Sequence, residues 1–198
     1  GVSMTDRLRL KGVHYTHLPL WETATRFLAA GKAEKKASFY PFLAATLFSY
    51  LAFEALLNAW LHALDAEGWA KEKEIGSTLA KCAHLFALAG IPLDRSRKPY
   101  QVVREVARAR DFLAHARTEP FDEIIPASQM DGMVPIQPEI TRFGSEAFAT
   151  EALVQIEALA NTLNAGLRAK FDYVPVGSAA GAFYGISGSS EASLPELQ

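Results

Sequence analysis

Residues 110–117 read RDFLAHAR and combine guanidinium, carboxylate and imidazole side chains within one predicted helix. Asp111 and His115 are four residues apart, so a helix would bring their side chains onto one face. A carboxylate beside an imidazole favours the imidazolium form and orients the ring. Arg110 lies roughly 140° around the helix from His115, so the two are not direct neighbours in a straight helix. Side chains of these types can bind a phosphate and transfer a proton.

The surrounding segment is locally cationic on a chain whose formal net charge is −2. Between Asp94 and Arg117, seven basic residues stand against three acidic ones. We consider Arg104, Arg108 and Arg117 as further phosphate ligands. Because the whole chain carries no basic field, any phosphate binding must be local. A solvated helix face remains an open alternative, since clustered charge alone is a weak signal.

The apolar run FYPFLAATLFSYLAFEALLNAWLHAL contains two polar residues four apart, Glu54 and Asn58. Buried polar groups need partners, and a cationic helix packed opposite would supply them. We expect Glu54 to hold Arg110, because a carboxylate can bind a guanidinium in a bidentate fork. A polar contact between helices without a catalytic role is the alternative.

The apolar periodicity and the capping residues predict five helices. Pro99 and Ser145 indicate the first turn and the N-cap of the last two, while Ser77 or Thr78 and Gly90 bound the third. The predicted ranges are 20–30 (ending near Gly31), a second helix from Ser38–Pro41 to about Ala66, then 77–89, 99–117 and 145–170.

These helices predict an all-α fold, an antiparallel helical bundle of four to five helices. Before the last helix, residues 118–143 hold four prolines and no helical period, which favours an irregular insertion or a hairpin turning at Asp131-Gly132. We expect the bundle to occupy residues 1–173, with its core at about 38–170. The Gly/Ser-rich residues 174–198 are expected to form an irregular tail, held in place by a neighbouring chain.

The sequence favours neither a metal site nor a membrane segment. His14 and His17 are three residues apart but have no second ligand cluster, so we expect no metal and no cofactor. Glu54, Asn58 and His62 make the long apolar run costly in lipid, which favours the central helix of a bundle. The single cysteine, Cys82, is interpreted as a core residue and fits a reducing cytoplasm.

The sequence R-D-F-L-A-H, with the helix SYLAFEALLNAWLHAL before it, resembles the HEPN superfamily. The commonest family motif is R-N-x-x-x-H, and the family's upstream helix contributes a Glu and, four residues later, an Asn. The resemblance covers roughly residues 38–170. It implies a compact all-α bundle that forms a homodimer and often acts as a metal-independent endoribonuclease, as a toxin paired with a nucleotidyltransferase-type antitoxin or in phage defence.

Carried onto this sequence, the resemblance makes Arg110 and His115 catalytic, with Asp111, Glu54 and Asn58 in support. In a two-fold dimer the two copies of His115 would serve as base and acid on one RNA phosphate, and the products would end in 2′,3′-cyclic phosphates. The chain departs from the family at Asp111, where Asn is usual, and an acidic group repels phosphate. The resemblance therefore leaves open a catalytically inactive module that binds a nucleotide or a protein partner.

Overall fold

A computed structural model describes residues 9–34, 37–115, 139–184 and 188–193 of the 198-residue chain, and within these ranges the fold is all-α. Five helices are longer than ten residues: α1 (His17–Ala33), α2 (Phe39–Leu64), α5 (Thr78–Ala89), α6 (Tyr100–Ala114) and α8 (Glu146–Lys170). Three are short: α3 (Ala66–Ala70), α4 (Glu72–Ile75) and α7 (Glu139–Phe143). Two strands, β1 (Arg9–His14) and β2 (Gly188–Ser193), pair antiparallel.

The predicted caps of two helices are confirmed. Ser77 Oγ accepts a hydrogen bond from the backbone N–H of Ala80 at the start of α5, and Ser145 Oγ does the same for Phe148 in α8. Gly90 ends α5 with a positive φ of 75°, which a residue without a Cβ adopts without strain. These ends are set by local chemistry, so the sequence was sufficient to find them.

The first helix is longer than the predicted range of 20–30, since α1 runs from His17 to Ala33 and passes through Gly31. A Cβ at Gly31 would lie 2.5 Å from Cε1 of Phe42, so the glycine lets α1 pack closely against α2. The short helices α3 and α4, which turn the chain between α2 and α5, were not predicted.

Helix α2 lies at the centre of the bundle and packs against α1, α5, α6 and α8. Its apolar side chains Phe53, Leu56, Leu57, Trp60 and Leu61 are completely buried. It is also the one described helix long and apolar enough to cross a membrane, a property that the central helix of a soluble bundle shares. A second, smaller core cluster joins α1, α2 and α8.

The sequence predicted an irregular tail held by a neighbouring chain. Instead, the segment after α8 packs on the bundle of its own chain, and its residues Gly188–Ser193 form the strand β2. Val176 and Phe183 belong to the main core cluster, and Trp60 Nε1 donates to the backbone carbonyl of Val176 at 3.2 Å. Asn164 and Arg168 of α8 donate further hydrogen bonds to backbone carbonyls of residues 174–178.

Most of the predicted insertion, including the hairpin at Asp131-Gly132, lies outside the described residues. Its described end, Glu139–Phe143, is helical rather than extended.

Candidate functional site

A cavity of about 350 Å³ opens between the middle of α2, the start of α5 and residues 104–111 of α6. It gathers most of the residues that the sequence singled out. Its walls include Tyr50, Glu54, Ser77, Thr78, Arg104, Arg108, Arg110 and Asp111. Helix α6 contributes three arginines and one carboxylate, and α2 contributes the facing carboxylate. The excess of positive charge suits an anionic ligand of modest size.

Arg110 pairs with Asp111 and not with Glu54. Its Nη1 lies 3.0 Å from Asp111 Oδ1, and the guanidinium side chain is 36% exposed. The expected Glu54–Arg110 pair is therefore wrong, although both residues line the same cavity. Arg110 and Asp111 are adjacent in the chain, so this ion pair forms within α6 and does not join α6 to α2.

Glu54 instead accepts a hydrogen bond from Thr78 Oγ1, with 3.0 Å between the oxygens. Thr78 is the first residue of α5 and is 5% exposed, so its hydroxyl needs a buried acceptor. This hydrogen bond ties α2 to the start of α5. The carboxylate lies beside the cavity as a fixed negative group opposite the arginines.

Tyr50 is a cavity residue that the sequence analysis missed. Burial raises the pKa of its phenol to about 12; a hydrogen bond with Thr78 and the charge of Arg110 lower it, and the charges of Glu54 and Asp111 raise it. The groups that shift the pKa of Tyr50 are thus the same groups that line the cavity. Tyr50 stays neutral at physiological pH and can donate a hydrogen bond. A tyrosine one turn before the Glu on an apolar helix carries no sequence signal that distinguishes it from a core residue.

His115 lies at the end of the site, outside the cavity walls. Helix α6 ends at Ala114, and His115 is the exposed C-cap residue, whose backbone N–H donates to the carbonyl of Asp111 at 3.1 Å. The predicted carboxylate–imidazole contact is wrong, because Asp111 turns its carboxylate to Arg110 and His115 is a C-cap residue outside the helical backbone of α6. The imidazole is accessible to a second molecule.

The three additional phosphate candidates have different positions. Arg108 lines the cavity but also binds Glu105 at 2.8 Å and Glu139 at 2.7 Å, so its charge is largely neutralised. Arg104 lines the cavity, is exposed, and forms no ion pair with any residue in the described ranges. Arg117 lies outside the described residues. Arg104 is thus the cation best placed for a ligand, followed by Arg110, which pairs with the single carboxylate of Asp111.

Asn58 does not support this site, contrary to the prediction. Its Oδ1 accepts a hydrogen bond at 2.9 Å from Nζ of Lys81, which is 3% exposed and also binds Glu72. Asn58 lines a separate cavity on another side of α2. The sequence did contain a signal for the Asn58–Lys81 contact. Lys81 lies inside the apolar run LAKCAHLFALAG, and a buried ammonium group needs oxygen partners.

No group of three potential metal ligands was found among the described His, Cys, Asp and Glu residues. His14 is exposed, whereas His17 is buried at 1% exposure, so the two do not form a ligand pair. Cys82 is buried, and burial raises the pKa of its thiol to about 12, which makes it unreactive at neutral pH.

The geometry therefore places Glu54, Arg104, Arg110 and Asp111 around one cavity lined by charged side chains. His115 lies exposed at the C-terminal end of α6. No protein-family model, curated protein or solved structure matches the chain, so its function has to be inferred from the chemistry of these side chains.

Proposed function

We propose that this chain is a metal-independent endoribonuclease of HEPN type, active as a homodimer. The observation that carries the proposal is that Arg110 lies in the wall of the same cavity as Glu54, which the family resemblance assigns a supporting role in the site. Arg104 adds a second guanidinium, and this one has no ion-pair partner among the described residues. Guanidinium groups are well suited to a phosphate because they donate several hydrogen bonds in one plane.

The chemistry requires two proton-transferring groups. One base removes the proton of the 2′-OH, whose oxygen attacks the phosphorus, and one acid protonates the leaving 5′-oxygen. The bond to the 5′-oxygen breaks, which leaves a 2′,3′-cyclic phosphate and a 5′-OH. One histidine cannot fill both roles at once, but an isologous dimer brings two copies of His115 to a shared site. Arg110 from each chain would stabilise the negative charge of the phosphorane.

The test is RNA cleavage in EDTA by the full chain. Fragments with 2′,3′-cyclic phosphate ends are expected, and both His115→Ala and Arg110→Ala should reduce the rate by about a hundredfold or more. The matched control is Arg97→Ala, which removes an exposed arginine from the same cationic segment and should leave the rate unchanged. Light scattering should give the mass of a dimer. RNA that stays intact, or a monomer that cleaves, would contradict the proposal.

The cellular role that accompanies this activity is that of a toxin or a phage-defence component in the cytoplasm. Expression alone should slow bacterial growth, and co-expression of a nucleotidyltransferase-type antitoxin should restore it. If the His115→Ala variant arrests growth as strongly as the wild-type chain, the proposal of an RNA-cleaving toxin is contradicted.

A catalytically inactive module that binds a nucleotide or a protein partner is the second candidate. Two observations favour it. The guanidinium of Arg110 already donates a hydrogen bond to the carboxylate of Asp111, and His115 does not line the cavity. Calorimetric titration with nucleoside monophosphates distinguishes the candidates. If a nucleoside monophosphate binds, if Arg104→Ala weakens that binding and if RNA stays uncut, the results support the binding module.

A further inference from the structure

A second cavity, also of about 350 Å³, lies between α2, α3 and the chain that leads into α1. It shares no lining residue with the first cavity, which is lined by Arg104, Arg108 and Arg110 and is called the arginine cavity below. Within the described part of the chain, no Lys, Arg, Asp or Glu lines it. Its polar groups are imidazole, phenol, hydroxyl and amide. This composition disfavours a phosphate and favours an uncharged ligand.

The amide of Asn58 has a defined orientation in this cavity. The ammonium group of Lys81 can only donate, so the oxygen of Asn58 must face it, at 2.9 Å. Lys81 is itself held by Glu72 and is buried, which fixes the pair. The NH₂ group of Asn58 donates to no described residue and is therefore the group left to bind a ligand. A hydrogen bond at its oxygen to a cation makes these N–H groups better donors.

Aromatic side chains provide the apolar surfaces of the same cavity. Trp69 is 39% exposed, and its ring meets the ring of His62 edge to face, with 5.1 Å between centroids and 85° between planes. Ala55 and Ala59 of α2 are small and leave room beside the indole. Tyr15 adds a phenol. A planar ring with a hydrogen-bond acceptor fits an indole surface next to a fixed amide donor.

We propose that this cavity binds the uncharged base of a nucleoside, with the ring stacked on Trp69 and a carbonyl or ring-nitrogen acceptor bound to the Asn58 NH₂ group. The volume lies at the lower end for small-molecule sites and suits one nucleoside rather than an oligonucleotide. The proposal does not depend on the ribonuclease activity, because the two cavities have no residue in common. Loss of one function leaves the other testable.

The test is a titration of the full chain with uridine, guanosine, adenosine and cytidine, followed by ligand-observed NMR. At least one nucleoside should bind in the millimolar range or tighter. Trp69→Ala should weaken that binding about tenfold, and Trp69→Phe should retain most of it. Asn58→Asp keeps the oxygen that Lys81 needs but removes the donor, so it should also weaken binding about tenfold.

The control is Tyr40→Ala, which removes an exposed aromatic side chain of α2 that lies outside both cavities and should leave binding unchanged. Ribose 5-phosphate should not compete with the nucleosides. Absence of binding by all four nucleosides, equal binding by Trp69→Ala, or competition by ribose 5-phosphate would each overturn the proposal. Because His115→Ala removes only the proposed RNA cleavage, nucleoside binding by that variant separates the two functions.

Discussion

At the scale of single residues, the ion pair between Arg110 and Asp111 controls how much positive charge the arginine cavity offers. The two side chains are partly exposed, and such pairs contribute about 1 kcal/mol or less. We expect Asp111→Asn to remove both the pairing and the repulsion of a phosphate. A labelled DNA oligonucleotide, which lacks the 2′-OH and stays uncut, should bind roughly threefold to fivefold more tightly at low salt, as measured by fluorescence anisotropy.

The control for this variant is Asp94→Asn. It removes the same unit of negative charge from an exposed carboxylate at the start of the cationic segment, away from the cavity. If both variants strengthen DNA binding equally, net charge explains the effect and the Arg110–Asp111 pair does not control the site.

His17 is the buried residue for which the structure predicts a pH dependence of stability. Burial lowers the pKa of its imidazole to about 4, and neither ring nitrogen has a hydrogen-bond partner among the described residues. The unfolded chain, with an ordinary pKa near 6.5, therefore binds the proton that the folded chain rejects. The free energy of unfolding should fall as the pH drops from about 6.5 towards 4, by about 2 kcal/mol between pH 7 and pH 5.

Urea unfolding at the two pH values measures this difference. In His17→Leu the difference should shrink by about 2 kcal/mol, since no group at that position titrates. His62→Leu, which replaces an exposed histidine, should keep the wild-type value. An unchanged pH dependence in His17→Leu would show that other groups dominate the acid sensitivity.

At the scale of helices, an ion network fastens the short helix α7 to α6. Arg108 and Arg142 both bind Glu105 and Glu139, and Arg142 also lies 4.8 Å from the centroid of the Phe143 ring. Burial of Glu105 raises its pKa, but the hydrogen bonds from the two arginines outweigh this and leave the pKa below its ordinary value. The network therefore depends on an ionised Glu105.

We expect Arg142→Ala to lower the free energy of unfolding by about 1 kcal/mol, because it removes two charge contacts and two cation–π contacts, with Phe143 and Phe148. Arg97→Ala is the matched control: its side chain is 83% exposed and 3.7 Å from Asp94, so its loss should change stability by less than about 0.5 kcal/mol. Chemical denaturation of both variants makes the comparison. Equal effects would mean that the α6–α7 network contributes nothing specific.

The same scale shows which parts of the fold a sequence can predict. The ends of α5 and α8 follow from Ser77, Gly90 and Ser145, because caps depend on neighbours within four residues. The role of Gly31 does not, because it depends on Phe42 in another helix. The site does not follow this division. The sequence placed Arg110 and Glu54 near one another across two helices, yet it missed that Arg110 pairs with its own neighbour Asp111 and that Glu54 binds Thr78 of a third helix.

At the scale of the whole molecule, the C-terminal segment is part of the bundle's core. Its Gly, Ser and Ala content predicted an irregular tail, yet Val176 is completely buried and its carbonyl accepts the hydrogen bond of Trp60, a buried residue of the central helix. The sequence shows that this segment lacks helical periodicity, but it does not show whether the segment packs against the helices. A few apolar side chains spaced along such a segment can complete a core that the helices leave open.

Two valines provide a matched test of this packing. Val176→Ala removes buried methyl groups and should lower the free energy of unfolding by about 2 kcal/mol. Val154→Ala makes the same chemical change at a position that is 52% exposed on α8 and should cost less than about 0.5 kcal/mol. If the segment unfolds together with the helices, both variants should keep a single transition in urea, with an unchanged slope. A Val176→Ala variant as stable as Val154→Ala would mean that the segment separates from the bundle before the helices unfold, and that the core of this protein is complete without it.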